Sequence, residues 1–336
     1  MTIFRQPWLW AIAMTIGTRI GGGLGLSPAI AVTYSYPAGD TLSSEFKDRL
    51  APGDTILVPP GTRYVTNSLI SGLTIRGDGP ADSIVFSPYI PSAAMFAFGP
   101  GASPTRIENL TFDAHLTPEA TALYFAGCQI EVKGNRFYGG YGVKADSSKG
   151  VIADNRFDQV MSALRCSRSE IWVDRNVIDG ARNGAISMRG SPLRITRNRI
   201  VRNENTGIVI TGKRYVPVIG GEPGMGNEIS GGFNSDLYTD SGKPINAQYN
   251  YWGIKTTEEM NRLGFPANIS AFTDKWDLSK AAGEIDYRNW LDGADGNPAK
   301  PTGAAAVRGV AGKVAVGAAL LLIMGFLATR IFRRGR

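Results

Sequence analysis

Between Ile130 and Ile200 the chain repeats one phrase four times: an alternating apolar run, an asparagine, and an apolar residue two places on. The copies run Ile130–Phe137, Val151–Phe157, Ile171–Ile178 and Leu193–Ile200, with asparagines at Asn135, Asn155, Asn176 and Asn198. A second apolar phrase falls between them, centred on Leu123, Val143, Leu164, Ile186 and Ile208. Both registers advance in steps of about 20 to 22 residues, the mark of a solenoid. The period also suits a leucine-rich repeat, but the Leu-x-x-Leu-x-Leu frame is absent. The pattern predicts an all-β chain, a single-stranded right-handed parallel β-helix with two or three short strands per rung.

Strand alternation then predicts which residues stack. Equivalent residues of successive rungs lie about 4.8 Å apart, so Val132, Ile152, Val173 and Ile195 form one inner column. Phe137, Phe157, Ile178 and Ile200 form another. The repeated Asn is expected to take left-handed backbone angles at a tight bend and to form a hydrogen-bonded side-chain ladder, a structural role.

Along the chain, residues 1–31 read as a signal peptide: Arg5, an apolar run from Trp8 to Ile16, and Ala29-Ile-Ala31 at the end. Ser43 to Leu50 reads as a Ser-capped amphipathic helix covering the open end of the solenoid. The β-helix is expected over 40–255, with Lys213 to Gly226 as a Gly/Pro-rich excursion. Residues 256–291 read as a partly helical C-terminal cap and 292–306 as a flexible linker. Residues 307–330 are long and apolar enough for a transmembrane helix. The arginines of the basic tail, 331–336, put the C-terminus in the cytoplasm and the β-helix outside it.

One opening phrase, Pro52-Gly-Asp-Thr-Ile56 with Pro60-Gly-Thr-Arg-Tyr64, precedes a first rung Leu73-Thr-Ile-Arg-Gly77; the closing phrase is Asn250-Tyr-Trp-Gly253. These phrases resemble the pectin-lyase-like right-handed β-helix superfamily over about residues 40 to 255. The resemblance implies a fold that hosts lyases, hydrolases, binding proteins and phage tailspikes. It also implies a core-capping role for Trp252, with sugar stacking as the alternative. The C-terminal tail is similar to bacterial sorting signals but lacks their Pro-Glu-Pro motif, which favours simple anchoring.

The formal charge of +7 suggests nucleic acid until its position is considered. Residues 1–31 and 307–336 hold eight of the 36 basic and none of the 29 acidic side chains, leaving about −1 for the rest. No basic stripe remains for a nucleic-acid partner. Cys128 and Cys166 fall about two rungs apart at different places in the rung, too far for a disulfide. His115, the only histidine, has only Asp113 nearby, so no metal site is expected.

With Leu123, Val143, Leu164, Ile186 and Ile208 inside, alternation turns Lys144, Asp146, Arg165 and Arg189 outward on one face. The resemblance implies that a lyase would take a proton beside a substrate carboxylate with an Arg or Lys and neutralise the acid with Ca²⁺ or a cation. Lys144, Arg165 and Asp146 are therefore the catalytic candidates, with Lys144 as the base. Lys144, Asp146, Arg165, Arg189 and Trp172 are the ligand-binding candidates. The motifs of polygalacturonases and pectate lyases are absent, and on the other sheet Trp172, Asp174, Arg194 and Glu131 form no acid/base pair. Two functions follow. One is an exported, membrane-anchored monomer that binds or processes an acidic extracellular polysaccharide, with no cofactor unless a lyase uses Ca²⁺. The other is a non-catalytic envelope scaffold.

Overall fold

The computed structural model describes residues 31–299 apart from 38, 40, 214 and 279–282. The signal-peptide, transmembrane and basic-tail readings fall outside these residues or, for the signal peptide, touch them only at Ala31. So does the second half of the expected linker. Within the described residues, no helix is long and apolar enough to cross a membrane.

Among the described residues the strands form three sheets, here A with 11 strands, B with 8 and C with 9. Every pairing between strands of these sheets is parallel and joins one rung to the next, winding a right-handed solenoid of about 8 turns. One rung shows the plan. Cys128–Lys133 lies in A, Arg136–Gly139 in B and Tyr141–Asp146 in C, before Lys149–Ala153 returns to A. The expected columns are in register: Val132↔Ile152↔Val173↔Ile195 in A, Phe137↔Phe157↔Ile178↔Ile200 in B, and Leu123↔Val143↔Leu164↔Ile186↔Ile208 in C. All are buried. Phe112, Phe137 and Phe157 stack at ring separations of 5.0 and 4.5 Å.

The Asn ladder lies at the corner from A to B and runs through Asn135, Asn155, Asn176, Asn198, Asn227 and Asn250. Each of the first five gives its backbone N–H and its side-chain amide to the Oδ1 of the next, at 2.8–3.1 Å. The left-handed angle expected at the Asn belongs to the residue before it: Gly134, Asp154, Arg175 and Arg197 have φ of 65°, 57°, 50° and 55°. The bend is made one place earlier, and the Asn amide then closes it by donating to the carbonyl two residues back, as from Asn155 to Ala153 at 2.8 Å. A second ladder occupies the corner from C to A. Ser148, Ser169 and Ser191 each accept, through Oγ, the backbone N–H of the equivalent residue one rung earlier, at 3.1 Å, beginning with Cys128.

Both ends are covered. Helix α1, Ser44–Asp48, is capped by Ser43 and buries Phe46 against the first rung. Asp54 of the opening phrase accepts the backbone N–H groups of Val32 (2.8 Å) and Ala51 (2.7 Å), pinning the entry strand Thr33–Ser35 to sheet A. At the far end the buried Trp252 packs on Phe272 with ring centroids 4.6 Å apart, and helix α2, Gly253–Leu263, follows it. Trp252 is a core lid, and its burial excludes the sugar-stacking alternative. Beyond α2 the chain returns to strand, with Phe272–Thr273 joining C and Ile285–Asp286 joining A. Val218–Ile219, inside the expected excursion, also joins A. Residues 292–299 make a turn, with Asp292 N–H on Asn297 O at 3.0 Å and Ala299 N–H on Trp290 O at 2.7 Å.

Candidate functional site

Alternation places side chains on the outer face of sheet C as expected. One column reads Tyr124, Lys144, Arg165, Ser187, Val209 and the next Ala126, Asp146, Ser167, Arg189, Thr211. Lys144, Arg165 and Arg189 are exposed. Lys144 and Arg165 are register partners on adjacent strands, directly opposite one another, where like charges destabilise a sheet. Each finds an aromatic ring instead of a carboxylate. The Lys144 Nζ lies 5.3 Å from the Tyr124 ring centre, and the Arg165 Cζ lies 5.2 Å from that of Tyr141. Among the described residues, neither cation nor Arg189 has a carboxylate oxygen within ion-pair distance.

Asp146 does not offset this charge. Its Oδ1 is taken by Arg168 across the corner at 2.7 Å, so it is not a free base or ligand. Arg168 owes that reach to its left-handed φ of 50° one residue before Ser169 of the serine ladder. Sequence reasoning passes over the tyrosines and Arg168. Tyr124 is readable as the column neighbour of Lys144, whereas the bond from Arg168 crosses a corner and has no periodic signal.

Many cations of the other sheets are paired with a carboxylate. Arg106 pairs with Glu131 (3.1 Å), Lys149 with Glu170 (2.9 Å), Arg156 with Asp158 (2.6 Å) and Arg199 with Glu228 (2.9 Å). Glu131 is thus engaged. Asp174 is only 2 % exposed and held by Arg175 and Arg197, so it is a structural anion and not a sugar ligand. Trp172 stands on sheet A, away from the cations of sheet C, with 38 % of its surface exposed.

The remaining candidates sit apart. His115 Nδ1 lies 2.9 Å from Asp113 Oδ1 and its ring stacks on Tyr138, a sheet B residue, at 5.8 Å. Cys128 and Cys166 are buried and unbridged, and burial pushes the Cys166 thiol up to about 12. Burial also lifts the Asp236 carboxyl to about 7, against one backbone N–H from Gly232; it lies where Ala271 of the C-terminal cap meets the solenoid. No group of three or more His, Cys, Asp or Glu side chains among the described residues is placed to hold a metal ion.

Residues 121–247 match the family model described as "Right handed beta helix region". No curated protein matches the sequence. Among solved structures, the chain is similar to ORF18 of Geobacillus virus E2, at 10% identity over 71% of this chain and 54% of the other, with a TM-score of 0.36. It is also similar to a PL6 family alginate lyase, AlyGC, at 14% identity over 76% and 40%, with a TM-score of 0.37. A third is the catalytic unit of a thermostable GH87 alpha-1,3-glucanase from Streptomyces thermodiastaticus, at 12% identity over 82% and 71%, with a TM-score of 0.27. The chain spans about half or less of the first two, 54% and 40%. Stacked columns, the ladder and the matched region together make this chain a right-handed parallel β-helix.

Proposed function

We propose that the outer face of sheet C binds an acidic polysaccharide. The observation that supports it is the register pair Lys144 and Arg165: two cations one rung apart, without a carboxylate partner among the described residues, in a protein that pairs many of its other rung cations. A chain of uronate carboxylates laid along the solenoid would supply the missing anions, and the rings of Tyr124 and Tyr141 would flank its sugars. Removing both side chains, Lys144→Ala with Arg165→Ala, is expected to weaken retention in polygalacturonate and alginate gels by about tenfold for each charge-assisted hydrogen bond removed, roughly 1.4 kcal/mol. The loss should shrink as salt rises, and melting should stay unchanged or rise slightly because a like-charge pair has gone. Retention equal to the parent at low salt would move the reading to a non-catalytic envelope scaffold.

The same mixtures report on chemistry. Lys144 is the amine on this face and Asp146 is occupied, so a lyase would use Lys144 to take the C5 proton beside the uronate carboxylate while Arg165 neutralised that carboxylate; the C4–O bond would break as the C4–C5 double bond formed, and the leaving sugar oxygen would take its proton from water. Ultraviolet absorbance from unsaturated uronate ends would extend the proposal to elimination; a flat trace leaves binding alone.

Export and anchoring belong to the same proposal and rest on sequence: the apolar run of residues 1–31, and the charge-free stretch Val314 to Thr329 followed by arginines. Because Ala299 is bonded to Trp290, a truncation that spares the fold should end beyond it, at Thr302. The full chain is expected to sediment with membranes through an alkaline wash and the truncated chain to be released. Full-length protein found in the soluble fraction would remove the anchor.

A further inference from the structure

We infer a second saccharide site on sheet A, centred on Trp172 and suited to an uncharged polysaccharide. The indole is held in place by a buried relay. Its Nε1 donates to Thr196 Oγ1 at 2.7 Å, and that hydroxyl donates to Asp174 Oδ1 at 2.7 Å. Asp174 in turn accepts from Arg197 Nε at 2.8 Å and from its second nitrogen at 2.7 Å. Thr196 and Asp174 are both buried, so the rotamer of the ring is fixed before any ligand arrives. With its N–H satisfied inside the protein, the exposed part of Trp172 offers ring surface flanked by the Arg194 and Arg197 guanidinium groups, each 5.8 Å from the ring centre, and the part they leave open suits the C–H face of a sugar.

The electrostatics select the class of sugar. Every cation near the ring already has a carboxylate: Lys149 with Glu170 at 2.9 Å, Arg194 with Glu222 at 3.6 Å, Arg175 with Asp154 at 2.7 Å and Arg197 with Asp174 at 2.7 Å. The Arg175 hydrogen bond holds the Asp154 carboxyl below its usual value, so this acid stays ionised near neutral pH. An anionic ligand would find no uncompensated charge here, unlike on sheet C. The open depression beside the ring is lined by Lys149, Gly150, Glu170, Pro192 and Arg194. Its charged rim can exchange hydrogen bonds with sugar hydroxyls while the indole takes the ring. Glycine at 150 is required by the close approach of the neighbouring strand, where a Cβ would fall 1.9 Å from the Ile130 carbonyl oxygen, and it puts no side chain into the depression.

This site is independent of the sheet C proposal and is tested apart from it. Full-length protein is applied to immobilised neutral glucans, mannans, galactans and xylans at low and high ionic strength. The parent should be retained on at least one of them with little salt dependence, Trp172→Ala should lose at least about tenfold in affinity, and the Lys144/Arg165 double variant should behave as the parent. Should Trp172→Ala fail to fold, Trp172→Phe serves: the emission change that the retained glycan causes in the parent should vanish when the indole at 172 is gone. The inference is overturned if no neutral glycan is retained, if retention collapses with salt, or if it survives Trp172→Ala unchanged.

Discussion

Val173→Asp is expected to lower the melting midpoint by about 10 °C or more and to expose the rungs on either side to protease. Val173 is fully buried and stacks directly between Ile152 and Ile195 in the inner column of sheet A. A carboxylate there meets apolar neighbours above and below and has no partner to accept from, a burden of several kcal/mol. At this size each kcal/mol moves the midpoint by roughly 2–4 °C, so a loss of ~3–5 kcal/mol gives a shift of that order. The pH dependence has a definite sign. Burial raises the folded-state pKa of the new carboxyl above its unfolded value, so the penalty is full at neutral pH and is relieved as the pH falls through that raised value. A thermal melt of Val173→Asp beside Val173→Ala separates charge from volume: the Ala variant should lose less and show no acid recovery. Parent-like melting of the Asp variant would mean that residue 173 does not face the core.

How much of this fold is readable from the chain depends on whether the signal repeats. The inner columns of all three sheets carry one apolar residue per rung at a nearly constant step, so period and parity fix both register and face. The outward placement of Lys144, Arg165 and Arg189 comes from the same parity. The bend is less readable, because the residue that makes it changes from rung to rung. Gly134, Asp154, Arg175 and Arg197 share a left-handed φ but no composition, while the constant Asn beside them attracts the assignment. The serine ladder escapes notice although Ser148, Ser169 and Ser191 keep the rung step, since serines are common in corners and three copies are a short run. Side chains that meet across corners leave no trace in periodicity; this is why Asp146 reads as part of the cationic face when it belongs to Arg168. Terminal strands of two residues, such as Phe272–Thr273 and Ile285–Asp286, are too short for alternation to show.

Asn176→Leu is expected to be nearly as damaging as a buried charge, although it replaces one buried side chain with another of similar size. Asn176 is almost wholly shielded from solvent, so the gain from burying a more apolar side chain is set against the hydrogen bonds that the site loses. Five hydrogen bonds go. Its Oδ1 no longer accepts from the backbone N–H and the side-chain amide of Asn155, both at 3.0 Å. Its amide no longer donates to Ile152 O at 2.8 Å, Asp174 O at 3.1 Å or Asn198 Oδ1 at 3.0 Å. Water has no path to the orphaned Asn155 N–H, and each buried group left unpaired costs about 1–3 kcal/mol. The left-handed turn at Arg175 also loses the amide that closes it. A sum of about 3–5 kcal/mol follows even if the Leu side chain packs well. Asn176→Asp separates the two halves of the role: it keeps the acceptor for Asn155 but turns an oxygen toward the carbonyls of Ile152 and Asp174, so it too should melt far below the parent. In a solenoid each rung is coupled to its neighbours, so amide exchange should report the damage first at Asn155 and Asn198 and then outward along the ladder. An Asn176→Leu protein with parent-like melting and protected amides at these two positions would show that the ladder lines the corner without supporting it.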